Sequence, residues 1–223
     1  MREIEVLRTL EEKVNPDWTA LLLVDMVNDL IRADGKVATS AKRPMDHVNE
    51  VLPHIERMLG FARAAGVMVV HIQHTTLEHG LGLSGPWLDA RSHATYGMLE
   101  FCLENSWGQQ VIDELKPVPG EAVVQKYRYS GFVGTNLNQV LRSAQRKTVI
   151  VAGVSTNVCV EATARDAFSH EFYVVWPRDA SASWSRELHE AALQSAGHRY
   201  ATVCDVGQLA EIWGVRDAAV AVS

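Results

Sequence analysis

The sequence predicts an α/β fold in which helices cover both faces of a parallel sheet. Short runs of β-branched and aliphatic residues alternate with longer segments, and the runs are apolar on both faces, as buried parallel strands require. The segment from His47 to Ala65 repeats apolar residues at helical spacing and stops before Gly66. Strands that alternate with helices favour right-handed crossovers and a parallel sheet. The predicted strands are residues 19–26, 67–74, 121–126, 147–153, 171–176 and 201–206.

Length and composition favour a single domain that spans residues 1–223. The 223 residues are 47% hydrophobic, which suffices for one sizeable core, and no repeat or linker interrupts the chain. The formal net charge is -6, and no stretch concentrates Lys and Arg with aromatic residues, so we expect no nucleic-acid partner. No signal-peptide pattern and no run of membrane-spanning length is present, so we expect a cytoplasmic protein without a membrane partner.

Candidate functional residues stand where the apolar runs end, because ligands of open α/β sheets bind at the carboxyl ends of the strands. The residues selected by this rule are Asp25, Gln73, His74, Lys126 and the turn at 153–159. The segment 75–110 is rich in Gly, His and Trp without clear periodicity, which predicts a long excursion over the sheet. Excursions of that length usually serve a site or an interface.

Asp25 and Lys126 place opposite charges at two of these strand ends. Asp25 follows four apolar residues, so its carboxylate would be costly to bury without a partner. The ammonium group of Lys126 can supply that partner across the site. A purely structural ion pair is the alternative interpretation.

Cys159 is the candidate nucleophile. Gly153 permits a tight turn after the strand at 147–153, and Ser155 or Thr156 can cap the next helix, which puts Cys159 in the first helical turn. The helix dipole and unpaired N–H groups are expected to lower the pKa of a thiol at that position. The same N–H groups can bind an oxyanion.

The other two cysteines are expected to be packing or loop residues. Cys102 and Cys204 form neither a CxxC pair nor a disulfide framework with Cys159. A redox function of Cys159 would need a resolving cysteine, and none lies nearby in sequence.

Three sequence blocks resemble the signature blocks of the isochorismatase-like cysteine hydrolases, in the same order. They are LLLVDMVNDL around Asp25, VVQKYRYSGFVGTNL around Lys126 and GVSTNVCVEATARDA around Cys159. The resemblance extends over residues 17–206, and the second and third blocks are most similar to ureidoacrylate amidohydrolases and to biuret, triuret and N-carbamoylsarcosine hydrolases. It implies a three-layer α/β/α, Rossmann-like fold with a six-stranded parallel sheet.

The resemblance also implies a catalytic mechanism. Asp25 would be the general base, Lys126 would hold the carboxylate, and Cys159 would attack the substrate carbonyl to form a thioester-type intermediate and release ammonia or an amine. The peptide bond between Val154 and Ser155 would be cis, with the N–H groups of Ser155 and Cys159 as the oxyanion hole. No cofactor is expected.

Four further residues are predicted to contact the substrate. Tyr129 resembles a substrate-facing tyrosine of the ureidoacrylate type, and His74 stands at a strand end where it could bind substrate by a hydrogen bond. Asn28 is either a substrate contact or a helix cap. Trp107, like Trp87, either walls the pocket or packs in the core or against another subunit.

Two features leave the substrate open. Relatives commonly carry Gln where this sequence has Val27, so any contact made by that amide is lost. Arg128, Arg165 and Arg178 are all candidates for a substrate carboxylate, and nothing in the sequence chooses among them.

No metal is expected. Relatives that hydrolyse nicotinamide carry an Asp-x-His pattern with a further His downstream, whereas the corresponding stretch here is HIQHTTLEHG with His71, His74 and His79. His71 and His74 are three residues apart, so on one strand they face opposite sides and do not chelate one ion.

Other functions remain possible at this point. They are nicotinamidase-like or isochorismatase-like hydrolysis on the same fold, a catalytically silent binding protein, and a thiol redox protein. Relatives that hydrolyse isochorismate do not use the cysteine, whereas Cys159 is present here. The resemblance further implies a homodimer or homotetramer.

Overall fold

The computed structural model of the chain describes residues 4–93 and 101–216, and these residues form one parallel sheet flanked by helices. All six predicted strands are present. A seventh strand of two residues, too short for any periodicity to predict, was missed. The strands are β1 (Thr19–Val24), β2 (Met68–His74), β3 (Ala122–Lys126), β4 (Thr148–Val154), β5 (Tyr173–Pro177), β6 (Ser181–Ala182) and β7 (Ala201–Cys204).

The order of the strands determines where a ligand can bind. Along the sheet the order is β3-β2-β1-β4-β5-β7, and β6 pairs with the end of β4. The chain moves outward from β1 in one direction through β2 and β3, and then crosses back to β4 on the other side of β1. Crevices of α/β sheets open where the direction reverses, at the carboxyl ends of the strands. Here that point lies between β1 and β4.

Helices cover both faces of the sheet, as the apolar strands require. Alternate side chains of β1 face opposite layers: Leu21 and Leu23 pack with α4 and α9, whereas Leu22 and Val24 pack with α6, α7 and α8. The predicted helix at 47–65 is confirmed with each end shifted by one residue. The helices are α1 (Leu10–Lys13), α2 (Asn28–Ile31), α3 (Lys36–Thr39), α4 (Asp46–Ala64), α5 (Gly85–His93), α6 (Leu137–Ser143), α7 (Glu161–Ser169), α8 (Arg186–Arg199) and α9 (Val206–Trp213).

None of the helices within the described ranges is long and apolar enough to span a membrane. The predicted excursion at 75–110 contains α5, and a parallel bridge between Thr76 and Leu103 joins its beginning to its later part. Its residues 94–100 lie outside the described part.

Gly153 has a different role from the predicted tight turn. It lies inside β4 with a φ of 116°, and a Cβ atom at this position would stand 2.1 Å from the carbonyl oxygen of Val24. No real side chain tolerates that distance. The absence of a side chain therefore allows β4 to approach the end of β1, which brings the two strand ends that flank the crevice together.

A partly buried acidic residue joins β3 to the rest of the sheet. Glu121, just before β3, accepts hydrogen bonds from Arg63 of α4 at 2.8 and 2.9 Å, from His71 of β2 at 2.9 Å and from the Val118 N–H at 3.0 Å. Burial by itself raises the pKa of the Glu121 carboxyl, but these donors outweigh burial and hold the pKa at about 2. The carboxylate is therefore charged in the folded protein throughout the neutral range.

Gly153→Ala should destabilise the fold severely. The added methyl group collides with backbone, which cannot move without separating β1 from β4, so we expect a loss of about 3 kcal/mol or more in the free energy of unfolding. Urea unfolding measures this. Gly60→Ala is the matched control, because Gly60 lies in the exposed face of α4 with no atom near its missing Cβ, and the change should stabilise by up to about 1 kcal/mol. Equal behaviour of the two variants would contradict the close approach at Gly153.

Glu121→Gln should lower the free energy of unfolding by about 2 kcal/mol at neutral pH, the usual cost of losing a charged hydrogen-bond partner. The folded-state pKa of about 2 is below the ordinary value of 4.5, so this stability is fully present above pH 4.5 and is lost as the pH falls towards 2. Chemical unfolding at several pH values should show that wild type and variant differ less and less in free energy of unfolding as the pH falls from 4.5 towards 2. Glu114→Gln, which removes a surface pair with Arg32, should change stability by less than about 1 kcal/mol. A wild-type advantage that stays constant down to pH 2 would contradict the role of the charge.

Candidate active site

Asp25 follows β1 directly and lies at the crevice between the strands. Its backbone has a φ of 57°, a left-handed conformation that Asp adopts more readily than most residues, and its N–H donates to the Ile72 carbonyl of β2 at 2.8 Å. The residue is 1% exposed. The bend ends the strand and turns the carboxylate towards β2 and β3.

The two carboxylate oxygens of Asp25 have different surroundings. Oδ1 accepts a hydrogen bond from the backbone N–H of His74 at 2.8 Å. Oδ2 lies 2.8 Å from Lys126 Nζ in an ion pair. A carboxylate oxygen has more than one acceptor site, so Oδ2 can still accept a proton.

Lys126 is the last residue of β3 and has no exposed surface. Its ammonium group contacts Asp25 Oδ2, donates to the Arg128 carbonyl at 3.2 Å and lies 3.3 Å from Cys159 Sγ. Burial alone lowers the pKa of Lys126, but its contacts with the Asp25 carboxylate and the Cys159 sulfur outweigh burial and raise the pKa above its ordinary value. The ion pair thus contacts the thiol directly, which a purely structural pair would not need to do.

Cys159 lies in a single π-helical turn, residues 156–160, that leads into α7. The predicted lowering of its pKa was wrong. Part of the residue remains open to a cavity, yet it lies deep enough that burial raises the pKa of the thiol to about 12, against the opposing charge of Lys126. The resting group is therefore a thiol that needs a base, and Asp25 is the adjacent one.

The turn before Cys159 differs from the predicted cap. The side chain of Ser155 makes no capping hydrogen bond and instead donates to Asn157 Oδ1 at 3.0 Å. The peptide bond between Val154 and Ser155 is cis, as the resemblance implied. Cys102 and Cys204 are buried packing residues, as predicted.

A cavity of about 120 Å³ opens beside these groups. This volume is below the roughly 300–1,000 Å³ of typical ligand pockets, which suits a small compound. The lining residues are Asp25, Leu30, His74, Trp87, Arg91, Phe101, Tyr129, Ser155, Val158, Cys159 and Trp184. Apart from the groups already described, the wall is mostly aromatic.

His74 and Tyr129 line the cavity, as predicted. The His74 ring stands 5.7 Å from Phe101, and the Tyr129 ring stands 4.7 Å from Trp87. Burial, followed by the nearby positive charges of Lys126 and two arginines, lowers the pKa of His74 well below its ordinary value, so the ring is neutral. Burial likewise raises the pKa of Tyr129. Both groups meet a ligand as neutral hydrogen-bonding side chains.

Asn28 and Trp107 do not line the cavity, so their prediction as substrate contacts is corrected. Asn28 Nδ2 donates to the Trp107 carbonyl at 2.8 Å, and the Trp107 side chain is 47% exposed. The Asn28 side chain forms no cap either, because Val27 occupies the N-cap position of α2. The two residues instead join α2 to the excursion that covers the site.

The three arginines singled out from the sequence also have other partners. Arg128 donates to the carbonyls of Tyr127 and Gly82 and stacks on Trp87 at 5.1 Å, while Arg165 and Arg178 form surface pairs with acidic residues. The buried cation at the cavity is Arg91 of α5, which sequence reasoning missed. Because α5 lies within the excursion and shows no periodicity, the sequence carries no signal that would point Arg91 inward.

Asp29 is a second residue that the sequence did not single out. Its Oδ2 accepts the Cys102 N–H at 2.7 Å and its Oδ1 accepts the Lys36 N–H at 3.2 Å. A side chain at Gly108 would collide with this carboxylate, at 2.2 Å. Asp29 therefore fixes the backbone that follows Phe101, one of the cavity residues.

His71 and His74 face opposite sides of β2, as predicted. His71 contacts Glu121, which precedes β3, whereas His74 lines the cavity. Within residues 4–93 and 101–216, no group of three or more His, Cys, Asp or Glu side chains is arranged to hold a metal ion.

The chain is similar to known proteins over most of its length. Residues 19–208 match the family model of the isochorismatase domain. A ureidoacrylate amidohydrolase RutB of Agrobacterium fabrum is 32% identical over 177 residues, which cover 75% of this chain and 77% of that protein.

Two solved structures share the fold over most of their length. A cysteine hydrolase from Pseudomonas syringae pv. phaseolicola 1448A has a TM-score of 0.80 and 25% identity, covering 96% of this chain and 99% of that chain. An N-carbamoylsarcosine amidase from Thermoplasma acidophilum has a TM-score of 0.67 and 28% identity, covering 84% and 96% of the two chains. The chain therefore belongs to the isochorismatase family of hydrolases.

Proposed function

We propose that this protein is a metal-independent cysteine amidohydrolase that cleaves the C–N bond of a small ureido, carbamoyl or amide compound. The observation that carries the proposal is the direct contact of a thiol, a carboxylate and an ammonium group at a small cavity. The similarity of the chain to a ureidoacrylate amidohydrolase and to an N-carbamoylsarcosine amidase supports the substrate class.

The first step is activation of the thiol. Asp25 Oδ2, the oxygen that does not accept the His74 N–H, takes the Cys159 proton. The thiolate that remains lies 3.3 Å from the Lys126 ammonium group, which compensates its charge. Burial makes a free thiolate costly here, so proton transfer is favourable only as the thiolate attacks the substrate.

The thiolate then attacks the carbonyl carbon of the substrate. The N–H groups of Ser155 and Cys159 stabilise the tetrahedral oxyanion. The C–N bond breaks, the nitrogen leaves as ammonia or an amine with the proton from Asp25, and the acyl or carbamoyl group stays on sulfur. Water, deprotonated by Asp25, then attacks that thioester, releases the acid and returns the proton to Cys159.

The cavity wall favours a small, partly planar substrate. Trp87 and Tyr129 present aromatic faces, and the neutral side chains of His74 and Tyr129 orient the polar atoms of the substrate by hydrogen bonds. The volume of about 120 Å³ favours small amides over peptides.

The positive charge of Arg91 indicates that the substrate carries a negative charge. In the described part of the cavity lining, the charged residues are Asp25 and Arg91, and Arg91 is the positive one. Burial lowers the pKa of Arg91, which means that its positive charge lies in a poorly solvated place. A carboxylate on the substrate gains most from such a cation, so we propose that the substrate is an amide or ureido acid rather than a neutral amide.

The purified protein should release ammonia from a ureido compound in a panel of ureidoacrylate, biuret, triuret, N-carbamoylsarcosine, maleamate and nicotinamide. Release should survive treatment with a chelator and should fall by about 10³-fold or more in Cys159→Ser, because the nucleophile is lost. Cys204→Ala, which removes a buried cysteine of similarly raised pKa away from the cavity, is the control and should keep its activity. Activity that disappears on chelation and returns with Zn²⁺, or that is unchanged in Cys159→Ser, would overturn the proposal.

Arg91→Gln should raise KM for the anionic substrates of the panel by about 10- to 100-fold, the usual effect of losing one charged hydrogen-bond partner. For neutral biuret the change should be small, because no carboxylate is present. Steady-state kinetics on both substrates test this, with Arg178→Gln as the surface control. An equal KM increase for anionic and neutral substrates would contradict recognition of a carboxylate.

A further inference from the structure

A polar cluster lies behind the turn that carries Cys159, on the side away from the cavity. We call it the turn-support cluster and define it by Thr156, Asn157, Ser183, His189 and His47. Thr156, Ser183 and His189 are buried, and none of the five residues lines the cavity. The proposed chemistry assigns no role to these residues.

One arm of the cluster fixes Ser155. Asn157 Oδ1 accepts hydrogen bonds from Ser155 Oγ at 3.0 Å and from Ser183 Oγ at 2.6 Å. Ser183 follows β6, which pairs with the end of β4 immediately before the turn. The side chain of Ser155 is thereby tied to the sheet through Asn157.

A second arm fixes the start of the π-helical turn. Thr156 Oγ1 lies 2.8 Å from Nδ1 of His189, a residue of α8. Burial, followed by the charge of His47, lowers the pKa of His189 to about 4, so the ring is neutral. A neutral ring can accept from the Thr156 hydroxyl or donate to it through Nδ1, and either tautomer joins the two residues by one hydrogen bond.

His47 joins the two arms. Its Nδ1 contacts the Ser183 carbonyl at 3.0 Å, and its ring meets the His189 ring edge-on at 4.7 Å. His47 belongs to α4, whereas His189 belongs to α8 in the opposite helical layer. The cluster therefore fixes the turn from both layers of the fold.

The turn needs such support because its backbone is unusual. The Val160 N–H donates to the Ser155 carbonyl at 3.2 Å, a π-type bond, and single π turns are rare and occur mostly at functional sites. This wide turn sets the direction of Cys159 Sγ towards Lys126 Nζ at 3.3 Å. A return to ordinary α-helical pairing would rotate the thiol away from both Lys126 and Asp25.

We propose that His189, acting through Thr156, is a positioning residue that holds the Ser155–Val160 turn in the geometry needed for nucleophilic attack by Cys159, an inference that rests on the proposed function. His189 touches neither the thiol nor the cavity. Its loss should reduce the rate of the chemical step and leave substrate binding nearly unchanged.

His189→Leu removes the hydrogen bond and keeps most of the volume, whereas His189→Asn places an amide where Nδ1 stood and can still bond to Thr156. We expect His189→Leu to lower kcat by about 10- to 100-fold, with KM changed less than about twofold, because small misplacements of a reacting group have effects of this size. His189→Asn should recover most of kcat. His198→Leu, at an exposed position of the same helix, is the control and should behave as wild type.

Alkylation of Cys159 by iodoacetamide provides a second readout that needs no substrate. Its rate should fall in parallel with kcat in His189→Leu and recover in His189→Asn. If the wild-type protein hydrolyses none of the panel compounds, the proposed function fails, and the alkylation rates still test the positioning role separately.

Thr156→Val removes the same hydrogen bond from the other side with an isosteric residue, and it serves if His189→Leu does not fold. The double variant should be no slower than either single variant, since all three lose one shared interaction. Wild-type kcat and alkylation rate in folded His189→Leu or Thr156→Val would overturn the proposal. The proposal would also be overturned if His189→Leu and His189→Asn lost kcat equally and in proportion to their decrease in melting temperature. That result would indicate that His189 contributes packing alone.

Discussion

The buried ion pair between Asp25 and Lys126 is the interaction on which the rest of the site depends. The two residues end strands β1 and β3, which are separated by β2, and β2 supplies the His74 N–H that fixes the second carboxylate oxygen. Burying two charges is costly, and removing either partner would leave the other uncompensated in the interior. The arrangement is therefore stable only when both partners are present. The parallel sheet places the Asp25 carboxylate, the Lys126 ammonium group and the His74 N–H side by side at its carboxyl edge.

The ion pair also determines what the thiol of Cys159 can do. Burial keeps the thiol protonated, with a pKa of about 12, and Lys126 only partly opposes this effect. A permanently charged thiolate would react with any electrophile, whereas a thiol beside a carboxylate becomes nucleophilic only as its proton moves. In this account, selectivity comes from coupling proton transfer to attack inside a cavity that admits only small molecules.

Sequence reasoning located the groups whose positions follow from the sheet. Asp25, His74 and Lys126 stand at the carboxyl ends of β1, β2 and β3, and the block around Cys159 follows β4. Because ligands of α/β sheets bind at that edge, the sequence predicted that these residues lie together. Sequence reasoning failed where contacts between distant segments determine which side chains face the cavity. Arg91 and Trp107 both belong to the excursion, where no periodicity indicates which side chains face inward.

Predictions from the local sequence also failed where packing against distant segments has the larger effect. The position of Cys159 at the start of a helix predicted a lowered pKa, but the direction of the shift is set by desolvation, which depends on the packing of distant segments. The role of Gly153 depends likewise on a neighbouring strand, since the atom that excludes a side chain is the Val24 carbonyl oxygen. The π-helical turn has no recognised sequence signature and is maintained by partners from α4, α8 and the β6 segment.

The most direct test of the central claim is to trap the intermediate on Cys159. The protein is mixed with the ureido compound that it hydrolyses, quenched in acid within one turnover, and its intact mass and digested peptides are measured, with a parallel reaction in hydroxylamine. The account predicts an acyl or carbamoyl adduct on the Cys159 peptide and a hydroxamate or hydroxyurea product formed at the expense of the acid. An adduct on another residue, or turnover with neither adduct nor trapped product, would contradict it.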